Sequence, residues 1–361
     1  MAAPGTSTTT TSGLQTEIAT YFDELLISTL DPQTRFMQFG QRRPLPPNRG
    51  NIVNWNRAIR LKQGYVLTEG TPISAAKQLS TTNVSATIMQ FGDVLNISDL
   101  VQQVGVFNAR KVATERLAVQ AAETLDTVIK LAILDQPGGT AQNGTVTHYI
   151  KGSTSAYFAN SADVAAVASD PRLQVSDIRR VVFSLRAQNV PTFDGENYVG
   201  VVHPYVAEDL IGDSKWEAFH QYTTPDNIYN GEIGKLYGVR FVGSTLAPIS
   251  AGSANGIALS VAGVSTLAYG TVIFGREFYG VTELDGGVKT YVVDGADKLD
   301  PLNQTTLLGW KANFISRVLN PSAGIVAWAA SGDTMTGSSS TSARSAAGLN
   351  VYFPGTFATQ N

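Results

Sequence analysis

The chain predicts an α+β fold in which a reaching N-terminal half precedes a mixed α/β half. Three observations carry this. A basic, proline-rich stretch follows the first apolar-periodic segment. Two alternating apolar–polar runs come next, and a long helical pattern then leads into interspersed helices and strands.

Residues 1–13 are Ser/Thr-rich, with neither a basic n-region nor an apolar h-region, so no secretory signal is expected. Residues 14–30 place Leu14, Ile18, Tyr21, Phe22, Leu25 and Leu26 at helical spacing, and Asp31-Pro32 ends the pattern. Between Pro32 and Thr68 stand Arg35, Arg42, Arg43, Arg49, Arg57, Arg60 and Lys62, without one acid. This is either a solvated arm or a strip that meets acidic patches of a neighbour or DNA phosphate. Pro44, Pro46 and Pro47 favour an extended arm.

Residues 50–61 and 83–97 alternate apolar and polar side chains as half-exposed strands do. Residues 62–82 between them show no core pattern. Two strands about a long tip read as an extended hairpin. Such a hairpin is barely stable alone in water, so its apolar side is expected to lie on another chain and not on its own body.

Ser98-Asp99 then reads as a helix N-cap and early acid. Leu117, Ala118, Ala121, Ala122, Leu125, Val128, Ile129 and Ala132 line one face, and Pro137-Gly138-Gly139 stops the pattern. One helix over residues 98–134 would run roughly 55 Å at 1.5 Å per residue. Periodicity alone favours a core helix of an ordinary α/β enzyme; the reaching elements before it weigh the other way.

Residues 136–170 read as loose Gly- and Ser-rich turns. An amphipathic helix follows over 175–188, with Ile178, Val181, Val182 and Leu185 on one side. A buried strand over 198–203 leads into a helix over 204–211 with Pro204 at its first position. Further strands are expected over 238–246, 269–274, 288–294, 306–319 and 323–330, with a Gly/Ser/Ala insertion over 249–263. Residues 331–348 are low in complexity. Residues 349–357 then bring Val351, Tyr352, Phe353 and Phe357 with nothing local to pack on, which reads as a tail that anchors on a neighbour.

Composition narrows the function. Of 361 residues, 43% are hydrophobic and 15% charged, with a net charge of −3. Soluble domains usually carry about 25% charged residues, so the low value fits a surface largely covered by other protein. There is no cysteine, which excludes disulfides and thiolate chemistry. The apolar runs fall short of the ~20 residues a membrane span needs. His148, His203 and His220 stand apart, without metal-ligand spacing. No GxSxG elbow, Walker A loop or GxGxxG after a strand occurs. Glu208-Asp209 reads as a solvated helix rim, and His203 as a strand end with a local hydrogen bond. The chain does not read as an enzyme, and no catalytic, cofactor-binding or metal-binding residue is expected.

Several strings resemble the major capsid proteins of tailed bacteriophages, which share the Hong Kong 97-type fold. TEIATYFDELLISTL and FMQFGQRRPLPPNRGNIVNWNRAIRL are similar to the N-arm and first E-loop strand of the coliphage N-four type. SDLVQQVGVFNARKVATERLAVQAAETLDTVIKLAIL is similar to that family's spine helix. YVGVVHPYVAEDLIGD resembles an A-domain strand, turn and helix, and TLLGWKANFISRVLNPSAGIVAWAA the closing strand pair. The likeness covers roughly residues 14–330. Two departures stand out: the family's Phe after the Pro-x-Ala turn is replaced by Gly324-Ile325, and the extension after residue 331 has no counterpart.

The resemblance implies an N-terminal arm (1–49), an E-loop (50–97), a P-domain spine helix and following loop (98–174), an A-domain (175–300), closing P-domain strands (301–330) and a C-terminal tail (331–361). It implies a subunit that assembles with itself into hexamers and pentamers of an icosahedral head around double-stranded DNA, touched non-specifically. Portal and decoration proteins are further expected partners, and no membrane is. Only 13 polar residues precede the first helical pattern, so any scaffolding protein is expected to be separate. The expected place is the virion, with assembly in the host bacterial cytoplasm. Expected inter-subunit contacts are Arg42, Arg43, Arg49, Arg57, Arg60, Lys62, Glu69, Tyr352, Phe353 and Phe357. Lys62 and Lys77 lie on the hairpin, but no covalent cross-link is expected. Rival readings are an encapsulin-like compartment shell, a hydrolase using acids of the 200s region, and a tail or fibre protein.

Overall fold

The structure is a computed structural model, described here over residues 35–48, 50–64, 69, 77–104, 109–134, 146–150, 158–159, 172–193, 195–216, 232–250, 259–261, 264–266, 268–295, 301–302 and 304–329. The helical reading of residues 14–30 and the tail over 331–361 lie outside these residues.

The helices are α1 (Phe36–Phe39), α2 (Asp99–Val104), α3 (Ala109–Leu134), α4 (Val175–Ala187) and α5 (Pro204–Ile211). The strands of the first half are β1 (Gln41–Arg42), β2 (Ile52–Ala58), β3 (Thr81–Thr87), β4 (Met89–Ser98), β5 (Thr147–Ile150), β6 (Phe158–Ala159), β7 (Tyr198–Val202) and β8 (Glu232–Leu236). Those of the second half are β9 (Val239–Gly243), β10 (Ile249–Ser250), β11 (Leu259–Val261), β12 (Val264–Thr266), β13 (Ala268–Phe274), β14 (Tyr279–Val293), β15 (Thr305–Val318) and β16 (Gly324–Ala329).

Two larger sheets organise most of them, beside the two-stranded pairs β2-β3 and β11-β12. One is four-stranded, in the order β1-β14-β15-β4. The other is eight-stranded, in the order β6-β5-β16-β13-β7-β9-β8 with β10 added on β13. The long helix α3 packs on β15 and β4 of the first sheet, and α4 packs on β16 of the second. A continuous apolar core joins the two, from Leu117 and Leu125 on α3 to Tyr149, Phe241, Phe274 and Trp328.

The apolar face read along α3 is buried at all eight positions, from Leu117 to Ala132. The helix expected over residues 98–134 is described on either side of residues 105–108. The described helix spans 26 residues, about 39 Å at 1.5 Å each, and the short α2 precedes it. Ser98 ends β4 opposite Thr305, and the Asp99 carboxylate accepts the Leu100 amide at 2.6 Å. Residues 105–108 lie outside the described residues.

The hairpin is corrected. The run 83–97 is not one strand. β2 and β3 pair antiparallel from Ile52 opposite Thr87 to Ala58 opposite Thr81. The Ile88 amide donates to Asn51 O, which closes that ladder, and β4 then crosses to pair with β15 over ten residues. The alternation is continuous through Ile88 because both strands are half-exposed, so pattern alone could not reveal the change of partner.

The eight-stranded sheet follows its sequence signals closely. β7 is buried at all five positions, and α4 and α5 lie where expected. The strand expected over 238–246 is really the second arm of a tight hairpin. Tyr237 and Gly238 both have positive φ, 51° and 81°, as a two-residue turn between twisted strands requires. The strand over 288–294 is the second half of β14, whose register breaks between Glu283 and Val288 beside the positive-φ glycines Gly286 and Gly287. The loose stretch over 136–170 contains β5, which pairs parallel with β16.

The segment boundaries drawn from the sequence cut across the sheets. β14 lies within 175–300 yet pairs in the four-stranded sheet, and β16 lies within 301–330 yet sits inside the eight-stranded one.

Candidate assembly surface

The hairpin β2–β3 divides into a root and a tip. At the root, Val53, Trp55, Val84 and Ala86 point inward and form a small core with Ile315 of β15, edged by Leu45, Ile88 and Leu319. The expectation that this apolar side has no partner on its own body is therefore overturned. The alternation of β2 matches the inward side chains of β15, a pairing between residues some 260 positions apart that no local pattern reveals. Trp55 lies across Gly280 of β14, the Arg317 guanidinium donates to Ser85 O, and Arg43 donates to Asn54 O at 3.2 Å.

From Arg57 outward the burial stops. Arg57, Ile59, Arg60, Leu61, Lys62 and Leu79 are all exposed. The strand pair persists a little further, with the Ile59 amide on Ser80 O at 2.9 Å. Lys77 then staples the tip by donating to Lys62 O at 2.8 Å and to Gln63 O. The tip is thus tied to itself while presenting cations and aliphatic side chains to solvent. That mixture suits a surface with acidic and apolar groups.

Of the contact residues expected from sequence, Arg57, Arg60 and Lys62 gather on the tip. Glu69 is exposed within the same loop. Arg42 and Arg43 are exposed too, but along a different line. β1 runs parallel to β14, with Arg42 opposite Val281, and the Arg43 amide donates to Val281 O at 2.9 Å. The arm is therefore laid in register on its own body at this point. Arg49, Tyr352, Phe353 and Phe357 lie outside the described residues.

Sequence reasoning missed two features. The first is an apolar patch on the four-stranded sheet, where Tyr291 and Val94 flank Gly309 across three strands. Tyr291, Val293 and Val94 are about half exposed or more. A shallow groove of about 540 Å³ runs beside it, lined by Phe91, Asp93, Trp310 and Lys311 among others. The signal lay in the alternation of β4, once its partner strand was known.

The second is the arm's anchor. Phe36 is wholly buried against α3. The Phe36 amide donates to Asp126 Oδ1 at 3.0 Å, and the Tyr279 hydroxyl donates to Phe36 O. Burial pushes the Asp126 carboxyl up to about 6, with the arm amides and Lys130 pulling weakly the other way. Burial also lowers Lys130.

Both described histidines serve structure. His203 caps α5, its Nδ1 accepting the Tyr205 amide at 3.3 Å, and His148 Nδ1 accepts Trp328 Nε1–H at 2.9 Å. Burial lowers each to about 4. Among the described residues no group of three His, Asp or Glu side chains could hold a metal ion, and no helix is long and apolar enough to cross a membrane.

No family model and no curated protein matches the chain. Solved structures do. The capsid of Ralstonia phage GP4 aligns with a TM-score of 0.62 at 14% identity, over 83% of this chain and 92% of that one. The capsid of cyanophage P-SCSP1u aligns at 0.59 and 16%, over 82% and 88%. The head of Helicobacter pylori bacteriophage KHP40 aligns at 0.59 and 13%, over 82% and 92%. The chain has the Hong Kong 97-type fold that these capsids share.

Proposed function

We propose that this chain is the major capsid protein of a tailed bacteriophage, a structural subunit and not an enzyme. It would build hexamers and pentamers of an icosahedral head around double-stranded DNA, and belong to the coliphage N-four type group. One observation carries the reading: the hairpin is bolted to its own body as far as Trp55, and the described residues beyond it form an exposed, cationic and apolar tip on a capsid-type fold. A monomer gains nothing from such a tip, whereas a shell subunit uses it to grip a neighbour.

The remaining partners follow from the same reading: a portal, a separate scaffolding protein, decoration proteins, and packaged DNA held through phosphate contacts. Assembly would take place in the host bacterial cytoplasm. Tyr352, Phe353 and Phe357 would anchor the C-terminal tail on an adjacent subunit, so truncation after residue 330 should lower the heat resistance of assembled heads.

Electron microscopy of the expressed protein, with and without co-expressed phage proteins, tests the proposal. Closed shells of fixed diameter holding DNA are the expected result. Shells that hold enzymes would mean an encapsulin-like compartment, and a persistent monomer would reject a shell role.

A further inference from the structure

Ahead of its pairing along β14, the described part of the N-terminal arm is fastened to the body at a buried point, Phe36. Phe36 hangs between two polar contacts, its amide on Asp126 Oδ1 of α3 and its carbonyl under the Tyr279 hydroxyl of β14. The Met37 and Arg35 amides act on the same carboxylate. Asp126 is itself fully buried, and its Oδ2 has no hydrogen-bond partner among the described residues. Among the described residues, few charges act on it. Lys130 lies one turn along α3 and is half-buried, Tyr279 comes from β14, and within residues 35–39 the arm contributes only Arg35.

We propose that Asp126 is a proton-operated latch for the N-terminal arm. With a proton on its carboxyl the arm stays docked through Phe36; ionised, the carboxylate loosens that docking and lets the segment around Phe36 lift from α3, while β1 stays paired with β14.

The reason is solvation. An ionised carboxylate here keeps one oxygen buried without a hydrogen bond among the described residues, and lifting the segment around Phe36 would let water reach it. Burial raises the docked group from 3.8 to about 6, and the arm amides and Lys130 offset this only in part. In the released state the group returns toward its ordinary value, so docking takes up a proton. Docking therefore strengthens as pH falls through about 6 and weakens above it. Between roughly pH 7.5 and 5 the docked-to-released ratio should rise about tenfold. The latch itself does not depend on the capsid reading. Only its use, letting the arm change neighbours during shell assembly, rests on that reading.

Amide hydrogen exchange of the full-length protein tests this, read on the peptide containing Phe36 and corrected for the chemical pH dependence of exchange. Protection in the wild type should rise about tenfold from pH 7.5 to 5. Asp126→Asn, which keeps the acceptor without the charge, should be protected at both pH values with no slope. Tyr279→Phe should weaken docking at every pH and keep the slope. A flat wild-type profile, or a slope that survives in Asp126→Asn, overturns the latch. Should Asp126→Asn fold poorly, the carbon-13 shift of the wild-type Asp126 carboxyl decides: a midpoint near 6 supports the latch and one near 4 rejects it. Shell formation is scored separately by microscopy, so wild-type protein that forms no shells would count against the proposed function and leave the latch standing.

Discussion

Trp55 of the hairpin lies flat across Gly280 of β14. A Cβ built on Gly280 would stand 3.0–3.1 Å from three atoms of the indole, tighter than nine in ten real Cβ contacts. The glycine is thus the seat on which the hairpin root rests, and Trp55 is the last side chain on its strand to be buried. Gly280→Val should push the indole out and free the hairpin from the body. Overpacking of this kind costs about 1–3 kcal/mol. Chemical denaturation should show that loss, and limited proteolysis should show faster cleavage within residues 50–64. An unchanged midpoint and unchanged cleavage would mean that the seat is unimportant.

Local signals reached the elements whose partners sit nearby or whose pattern is strong. The face of α3, the buried β7 and the proline-led α5 all stand where their sequences place them. What remained hidden depends on long-range pairing. The alternation from 83 to 97 says half-exposed strand, but not that its first part faces β2 and its second β15. Phe36 sits in a basic, proline-rich context and gives no sign that Asp126, 90 residues away, receives its amide. The cationic residues of the tip were legible because exposure leaves charge patterns intact. The root was not, because its core forms with Ile315.

Gly324 offers a second test of close packing. It occupies the place after the Pro-Ser-Ala turn where a Phe was expected, and the ring of Phe278 comes within 2.5 Å of where its Cβ would be. The aromatic bulk at this corner is thus supplied by the turn that leads into β14. Gly324→Ala should cost about 1–3 kcal/mol by overpacking, and Phe278→Leu added to it should recover part of that loss. A fully additive double variant, measured by thermal unfolding, would argue against direct contact.

Acid should weaken the fold through His148. Burial holds its imidazole at about 4, below the ordinary 6.5, so the neutral form is favoured in the folded state. The stability this represents is complete above pH 6.5 and is lost as pH falls through about 4, to a limit of about 3 kcal/mol. Protonation would also take Nδ1 away from the Trp328 indole. His148→Gln keeps an acceptor for that indole and should flatten the acid limb. Asp126, raised by burial, slopes the opposite way over a neighbouring range. The difference between wild type and His148→Gln is therefore the quantity to measure, and identical curves would contradict the assignment.

No covalent cross-link should join the subunits. An isopeptide bond between Lys and Asn needs a neutral amine and a nearby carboxyl held in apolar surroundings to move protons. Lys77 instead directs its ammonium at the Lys62 and Gln63 carbonyls, and Glu69, the acid described in the same loop, is exposed. Assembled particles boiled in denaturant should run as a single band on a gel. A ladder of multimers would show the chemistry to be present after all.

Charge reversal at the hairpin tip should separate folding from assembly. Arg57, Arg60 and Lys62 are exposed, lie beyond the last buried residue of the root, and contribute nothing to the small core at Ile315. Surface substitutions of this kind usually change stability by no more than about 0.5 kcal/mol. Changing all three to Glu should therefore leave the melting temperature and circular dichroism of the subunit nearly unaltered. If the tip grips an acidic surface of a neighbour, the same variant should fail to close shells, and partial neutralisation with Gln should give fewer particles with sharper salt sensitivity. High salt should weaken wild-type assembly in the same direction, because exposed charge pairs are screened within about 10 Å at 0.1 M ionic strength. Normal shells from the triple Glu variant would show that the cations are solvated in the assembled state, and would leave Ile59, Leu61 and Leu79 as the exposed apolar side chains among the described tip residues to test next.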